Sequence, residues 1–255
     1  MRVTKLLILG GTTEASALAA WLVDRLEFDA MLSFAGTTRA PRPPPIPYRV
    51  GGFGGARGLA MFLREGGYRL MIDATHPFAA QMKRNAAEAA HLAGIDLLAM
   101  RRPGWQQMAG DAWLRVPDMA QAAQELGATP RRVLLTIGQK DLAAFQQAPW
   151  HHYIVRSVDP PEPASLPPDC EVIAARGPFQ LEDELALLRT SRISVLVTKN
   201  SGGTATAAKL EAARLCSVAV IMIDRPEPLD GVESVEDVAA AQAWMIAHAG
   251  TERGL

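Results

Sequence analysis

Gly10-Gly11-Thr12-Thr13-Glu14-Ala15 lies between an apolar run, Lys5 to Leu9, and a helically spaced stripe, Ala17, Leu18, Trp21, Leu22 and Leu26. Glycine at such a junction lets the chain turn tightly and lets a phosphate approach the main chain. The helix start offers unpaired N–H groups and a partial positive charge. Thr12 and Thr13 carry hydroxyls that either cap those groups or donate to a phosphate. Thr12 and Ala15 stand where a GxGxxG fingerprint has its second and third glycines. The segment therefore reads as a dinucleotide turn or as a plain capped strand-to-helix turn.

The next strand-like run bears on which dinucleotide would fit. A site for an unphosphorylated ribose has an acid at the end of its second strand. Met31-Leu32-Ser33-Phe34-Ala35-Gly36-Thr37-Thr38-Arg39 has none. Ser33, Thr37 and Arg39 suit a 2′-phosphate, through charge-assisted bonds of ~1.5–3 kcal/mol each. They favour NADPH over NADH; otherwise Arg39 is a solvated loop residue. Asp73-Ala74-Thr75-His76-Pro77-Phe78 closes a further apolar run and opens a helix. Ligands of doubly wound sheets sit outside such strand ends, so Asp73, Thr75 and His76 are expected beside the same cofactor. His76 titrates near neutrality and is a candidate for proton transfer. Its other readings are a backbone hydrogen bond or a wall of the nicotinamide pocket.

In the second half, Thr198-Lys199-Asn200-Ser201-Gly202-Gly203-Thr204 puts an amine, an amide, hydroxyls and glycines at a strand end. The order is not that of a phosphate-binding GxxxxGK[ST] loop. Lys199, Asn200 and Ser201 are expected to reach the cofactor, and Gly203 the substrate. Lys199 is the second candidate for a catalytic role. Thr136-Ile137-Gly138-Gln139-Lys140 and Arg176-Gly177-Pro178-Phe179 are similar turns. Arg101-Arg102-Pro103-Gly104-Trp105 adds two guanidiniums and an aromatic, suited to gripping carboxylates and stacking on a flat conjugated ring. The alternative is a charged loop with a core tryptophan.

A β-α-β alternation must position these groups. Strand patterns fall at Lys5–Leu9, Ala30–Ala35, Tyr48–Val50, Arg69–Ile72 and Ile95–Met100, then at Val133–Ile137, Tyr153–Arg156, Glu171–Ala174, Ser194–Val197 and Val218–Ile223. Helical patterns include Pro77–His91, with proline where its missing N–H is harmless, and Leu142–Gln146, Leu181–Leu188, Ala205–Leu215 and Val235–Ala249. The fold class is α/β: two Rossmann-like subdomains with mainly parallel sheets and a cleft between them. The join is expected near Gly127–Arg131. Residues 1–128 would bind NADPH, and residues 129–255 would close the substrate cleft. Arg39–Pro47 and Asp159–Pro168 each hold five prolines and are irregular connections.

Composition narrows the class further. Lys and Arg number 26 against 27 Asp and Glu, a net charge of −1, without the basic excess of a nucleic-acid protein. Hydrophobic residues make up 49% and charged residues 21%, which excludes wholesale disorder. Cys170 and Cys216 form no CxxC or metal spacing. No run is long enough for a membrane helix and the start resembles no signal peptide, so a cytoplasmic protein is expected.

Three segments occur in a telling order: Ile8-Leu9-Gly10-Gly11-Thr12-Thr13-Glu14-Ala15, Asp73-Ala74-Thr75-His76-Pro77-Phe78-Ala79 and Thr198-Lys199-Asn200-Ser201-Gly202-Gly203. Together they resemble the signatures of the precorrin-6A reductase family of cobalamin biosynthesis, and the likeness covers nearly the whole chain. The resemblance implies two α/β subdomains, NADPH as cofactor, and reduction of one double bond of the precorrin-6A macrocycle to give precorrin-6B. It implies no metal or flavin. The partner is then a small tetrapyrrole with acetate and propionate arms, and neighbouring pathway enzymes are the macromolecular partners left open. Arg101, Arg102, Lys140, Arg176 and Lys199 are the candidates to meet those arms. Within the resemblance, an NADH-dependent cobalt-precorrin-6A reductase is the alternative.

Two rivals lie outside it. A short-chain dehydrogenase needs Tyr-x-x-x-Lys, but the residues four places after Tyr48, Tyr68 and Tyr153 are Gly52, Ile72 and Ser157. A non-catalytic dinucleotide sensor on the same fold is the second, because no acid–base dyad stands out.

Overall fold

The computed structural model describes residues 3–36 and 42–249. Thr37 and Arg39 lie outside the described residues. The elements run β1 (Thr4–Leu9), α1 (Thr13–Leu22), β2 (Phe28–Phe34), β3 (Tyr48–Val50), α2 (Gly55–Gly66), β4 (Leu70–Asp73), α3 (Ala80–Ala93) and β5 (Asp96–Met100). There follow β6 (Trp113–Val116), α4 (Met119–Glu125), β7 (Arg132–Thr136), β8 (His152–Ser157), β9 (Cys170–Ala174), α5 (Leu181–Thr190), β10 (Val195–Lys199), α6 (Ala208–Leu215) and β11 (Ala219–Ile223). Last come β12 (Glu233–Val235) and α7 (Val238–His248).

The first compact unit is Met1–Pro103 with Pro226–Leu255. Its sheet has the order β3-β2-β1-β4-β5-β12, every pairing parallel. That is the doubly wound succession 3-2-1-4-5-6, with the sixth place held by a strand from near the end of the chain. The second unit is Gly104–Arg225, with the order β9-β8-β7-β10-β11-β6, also parallel throughout. Here the sixth place is taken by β6, which precedes the rest of its sheet.

These edge pairings move the boundary away from 128/129. That cut falls between α4 and β7, inside the second unit. It would also remove β12 and α7 from the first sheet, where β12 pairs with β5 from Glu233↔Leu98 to Val235↔Met100. Three local expectations also change. The helix expected from Pro77 starts at Ala80, because Pro77 sits in the preceding turn. Leu142–Gln146 lies within a 3₁₀ segment, Gln139–Gln147, instead of an α-helix. Val235, expected in the last helix, ends β12.

The central strands of the first sheet are apolar on both sides because helices cover both faces. Leu6 and Ile8 point into a core with Leu18, Leu22, Trp244 and Met245 from α1 and α7. Leu7 and Leu9 point the other way, against Leu59, Leu63, Ala86 and Ala90 from α2 and α3. Alternation along one strand thus fixes which helices lie on which face. In the second unit, Leu134, Leu196 and Met222 pack under Leu188 of α5 and Leu210 of α6. In each unit the strands share one carboxyl edge, where the segments singled out above emerge.

Candidate functional site

At the first turn, both glycines answer a local demand. A Cβ on Gly10 would lie 2.6 Å from Leu32 Cδ1, so a side chain there would have to displace Leu32 of β2. Gly11 has φ +123° and open space, with nothing within 4 Å of the place a Cβ would take. Only glycine adopts that backbone without strain, and the vacant volume lies beside the start of α1. Thr12 is the N-cap: its Oγ1 accepts the Ala15 N–H at 3.3 Å and donates to the Ala74 carbonyl at 2.8 Å. Its hydroxyl therefore ties α1 to the end of β4, so the capping alternative holds for this residue. Ala15 is fully buried.

Thr12, Glu14, Ala74, Thr75, Pro77, Met100 and Arg102 line a recess with about 210 Å³ of empty space that merges with solvent. Four residues singled out from sequence, Thr12, Glu14, Thr75 and Arg102, thus converge on the carboxyl edge of the first sheet. Arg102 Nη1 donates to both oxygens of Glu14, at 3.0 and 2.8 Å. Arg102, expected to meet a substrate carboxylate, is thus engaged by Glu14. Burial pushes the Glu14 carboxyl up, but the hydrogen bonds and charge of Arg102, its own backbone N–H and the Thr13 hydroxyl together hold it below the usual range. The pairing offsets a carboxylate that would otherwise oppose an anion at the start of α1. Arg101 donates its N–H to the Val235 carbonyl at 2.7 Å, joining β5 to β12.

At the end of β2, the structure adds a residue that local sequence does not single out. Ser33 is paired across the strands with Arg49. Arg49 Nη1 donates to Ser33 Oγ at 2.9 Å and to the Gly51 carbonyl at 2.8 Å, while Nη2 donates to the Gly52 carbonyl at 3.0 Å. The guanidinium lies 4.0 Å from the centre of the Phe53 ring. A fixed cation therefore stands beside Ser33 at the end of β2, and the signal that marks it is register, not local sequence.

Asp73 is 2% exposed, and its own turn occupies it. Oδ1 accepts from the Thr75 N–H at 3.0 Å and the Thr75 hydroxyl at 2.6 Å, and Oδ2 accepts from Lys83 at 3.0 Å. Asp73 and Thr75 thus shape the loop expected to touch the cofactor. His76 Nδ1 accepts the Phe78 N–H at 3.3 Å, which puts the proton of the neutral ring on Nε2.

In the second unit, Lys199 donates to Asp141 at the end of β10. The Asn200 amide clamps Trp105: Oδ1 accepts its N–H at 2.7 Å and Nδ2 donates to its carbonyl at 3.2 Å. Trp105 Nε1 donates to the Gly203 carbonyl at 2.9 Å. Trp105, read from sequence as an aromatic for stacking on a ligand, instead packs against the second unit's core. Ser201 is buried, and its N–H donates to the Lys199 carbonyl. Lys140 and Arg176 are exposed at the same sheet edge. Lys199, Asn200 and Ser201 thus form one group in this unit, and Gly10–Ala15, Ser33, Asp73, Thr75 and His76 form another in the first.

Residues 5–246 match the family described as precorrin-6x reductase CbiJ/CobK. The chain belongs to the precorrin-6x reductase family. The precorrin-6A reductase of Rhodococcus erythropolis is 50% identical over 244 residues, covering 95% of this chain and 97% of that one. A solved structure of CobK precorrin-6A reductase matches with a TM-score of 0.92 at 46% identity, covering 99% of this chain and 100% of that one. The cobalt-precorrin-6A reductase of Salmonella typhimurium is more distant, 30% identical over 250 residues and 92% of each chain. The expected α/β fold with Rossmann-like parallel sheets is the fold of this precorrin-6x reductase.

A Rossmann-like fold in a reductase family calls for a nicotinamide dinucleotide. The residues fit one: the space over Gly11 is open, α1 begins beside it, and no acid other than the Arg102-paired Glu14 stands at the turn. Among the described residues, no group of three or more His, Cys, Asp or Glu side chains is placed to hold a metal ion. Among them also, no helix is long and apolar enough to cross a membrane.

Proposed function

We propose that this chain reduces one double bond of the precorrin-6A macrocycle, giving precorrin-6B in cobalamin biosynthesis, with NADPH as reductant. The observation that carries the reading is the likeness to precorrin-6A reductase over 99% of the chain, with an open glycine turn at the first strand end. The metal-free macrocycle is favoured because identity is 50% to a precorrin-6A reductase and 30% to a cobalt-precorrin-6A reductase. The reading puts the enzyme in the cytoplasm, beside others of its pathway.

On this reading the Gly11 main chain and the first N–H groups of α1 hold the pyrophosphate. Arg49, presented by Gly51, Gly52 and Ser33, binds the 2′-phosphate, with Thr37 and Arg39 in the same role. Bound there, the dinucleotide supplies a hydride. His76, through Nε2–H, and the Lys199 amine are candidates to hold the transferred proton, with water or an acidic substrate side chain as the alternatives. Lys140 and Arg176 attract acetate and propionate arms to the second sheet.

The test compares kcat/KM for NADPH and NADH with precorrin-6A. Wild type should prefer NADPH. Arg49→Leu should lose about 10- to 100-fold with NADPH, the worth of one charge-assisted contact, and about 3-fold or less with NADH. Equal losses with both would remove Arg49 from the 2′-phosphate site.

A further inference from the structure

Behind the loop that follows β10 lies a buried cluster with more positive than negative charge. Arg156 stands near the carboxyl end of β8, Glu184 on α5 and Lys209 at the second position of α6. They are 9%, 1% and 4% exposed. Arg156 Nη1 donates to Glu184 Oε1 at 2.5 Å, and the guanidinium lies 4.0 Å from the centre of the Phe179 ring. Among the described residues, Glu184 Oε2 is buried without a hydrogen-bond partner. The Lys209 ammonium lies 5.1 Å from the centre of the Trp105 ring.

The direction of Lys209 follows from its place. Helical side chains lean toward the helix start, and α6 starts at the carboxyl edge of its sheet. The stem therefore carries the amine toward that edge, to the tryptophan that Asn200 and Gly203 hold in place. The charged groups facing it are Arg156 from β8 and Glu184 from α5; Trp105, from the loop after β5, carries none. Burial is the main force on the amine and pushes it down to about 7, Arg156 adds repulsion, and Glu184 offsets part of both.

When Lys209 is protonated, two cations face one carboxylate, and the cluster is one anion short of balance. We propose that Lys209 and Arg156 form a subsite for one carboxylate arm of the macrocycle, Arg156 as the fixed charge and Lys209 as the donor that closes on the arm. The proposal rests on the reading of the chain as a precorrin-6A reductase. A carboxylate beside Lys209 raises its pKa, so binding takes up a proton. Affinity then falls as pH rises above about 7, where the free amine is neutral and the bound one still charged.

Calorimetry at pH 8, in buffers of different ionisation enthalpy, reads that proton. Wild type binding precorrin-6A should take up about one proton through Lys209. Lys209→Met should bind the macrocycle about 10- to 100-fold more weakly at pH 7 and lack that uptake. Lys209→Arg, which stays charged, should bind within about 3-fold of wild type, also without the uptake. NADP⁺ binding should be the same in all three. Wild type without proton uptake, or uptake retained in Lys209→Met, overturns the subsite. So does Lys209-dependent uptake on NADP⁺ binding, which would assign the pair to a cofactor phosphate. A fall in kcat with unchanged affinity and uptake would make Lys209 a proton donor and overturn it likewise. Wild type that binds no precorrin-6A overturns the underlying function itself, and is told apart by the missing heat.

Discussion

Gly11→Val should raise the Kd for NADP⁺ more than 100-fold and lower the melting midpoint by several degrees. Two separate causes act. At φ +123° a side chain strains the backbone, at about 1–3 kcal/mol for a residue held in such a region. For a chain of this size that corresponds to ~2–4 °C per kcal/mol. The isopropyl group also fills the open volume beside α1 that a pyrophosphate must enter. Gly11→Ala separates the two, because it also strains the backbone but adds far less bulk. Its melting midpoint should also fall, by less than that of the β-branched valine variant, and its NADP⁺ affinity should fall less. Titration of NADP⁺ by intrinsic fluorescence and a thermal scan check both. A folded valine variant with unchanged affinity would move the cofactor away from this turn.

Glu184→Leu should destabilise the protein by about 3–5 kcal/mol, the usual consequence of removing one partner from a buried ion pair. The loss is large because it strands the Arg156 cation, beside the Lys209 amine, in a place 9% exposed or less. Raising the pH from 7 to 9 should stabilise wild type and variant alike. Lys209 has its folded pKa depressed to about 7, so above that value the folded state sheds the proton that the unfolded chain keeps up to about 10.5. The unfolded state then binds more protons, and stability rises with pH through this window. Arg156→Met should be milder, because it leaves one cation and one carboxylate that can meet. Calorimetric midpoints at pH 7 and pH 9 test the ranking. Equal losses in the two variants, or no rise in midpoint from pH 7 to pH 9 in any of the proteins, would show that packing, not charge, governs the cluster.

What the sequence revealed and what it hid have physical causes. β1 and β4 were legible because Leu6 to Leu9 and Leu70 to Ile72 are buried on both faces and read as unbroken apolar runs. The glycine turn was legible because a positive φ is a demand one residue meets alone. β6 and β12 were not: Trp113-Leu114-Arg115-Val116 and Glu233-Ser234-Val235 are short, half-exposed edge strands whose pairing comes from distant residues. Without those two strands the sequence pattern places the join near Gly127–Arg131, whereas the compact units divide at Pro103 and Pro226. Arg49 and Lys209 were hidden for a related reason. Arg49 matters through its register with Ser33, and Lys209 through helix packing, and neither leaves a local pattern. The partners of Arg102 and Trp105 are not legible locally, because residue type says nothing about a distant partner such as Glu14 or Gly203.

Direct hydride transfer from a dinucleotide to a carboxylated tetrapyrrole is the central claim. Single-turnover reaction of precorrin-6A with NADPH stereospecifically deuterated at the nicotinamide C4, read by mass spectrometry, tests it most directly. One of the two deuterated epimers should give a product heavier by one deuterium and one proton per macrocycle, with one NADPH consumed. A reduced macrocycle without deuterium from either epimer, or a bound macrocycle left unreduced with NADPH intact, would contradict it.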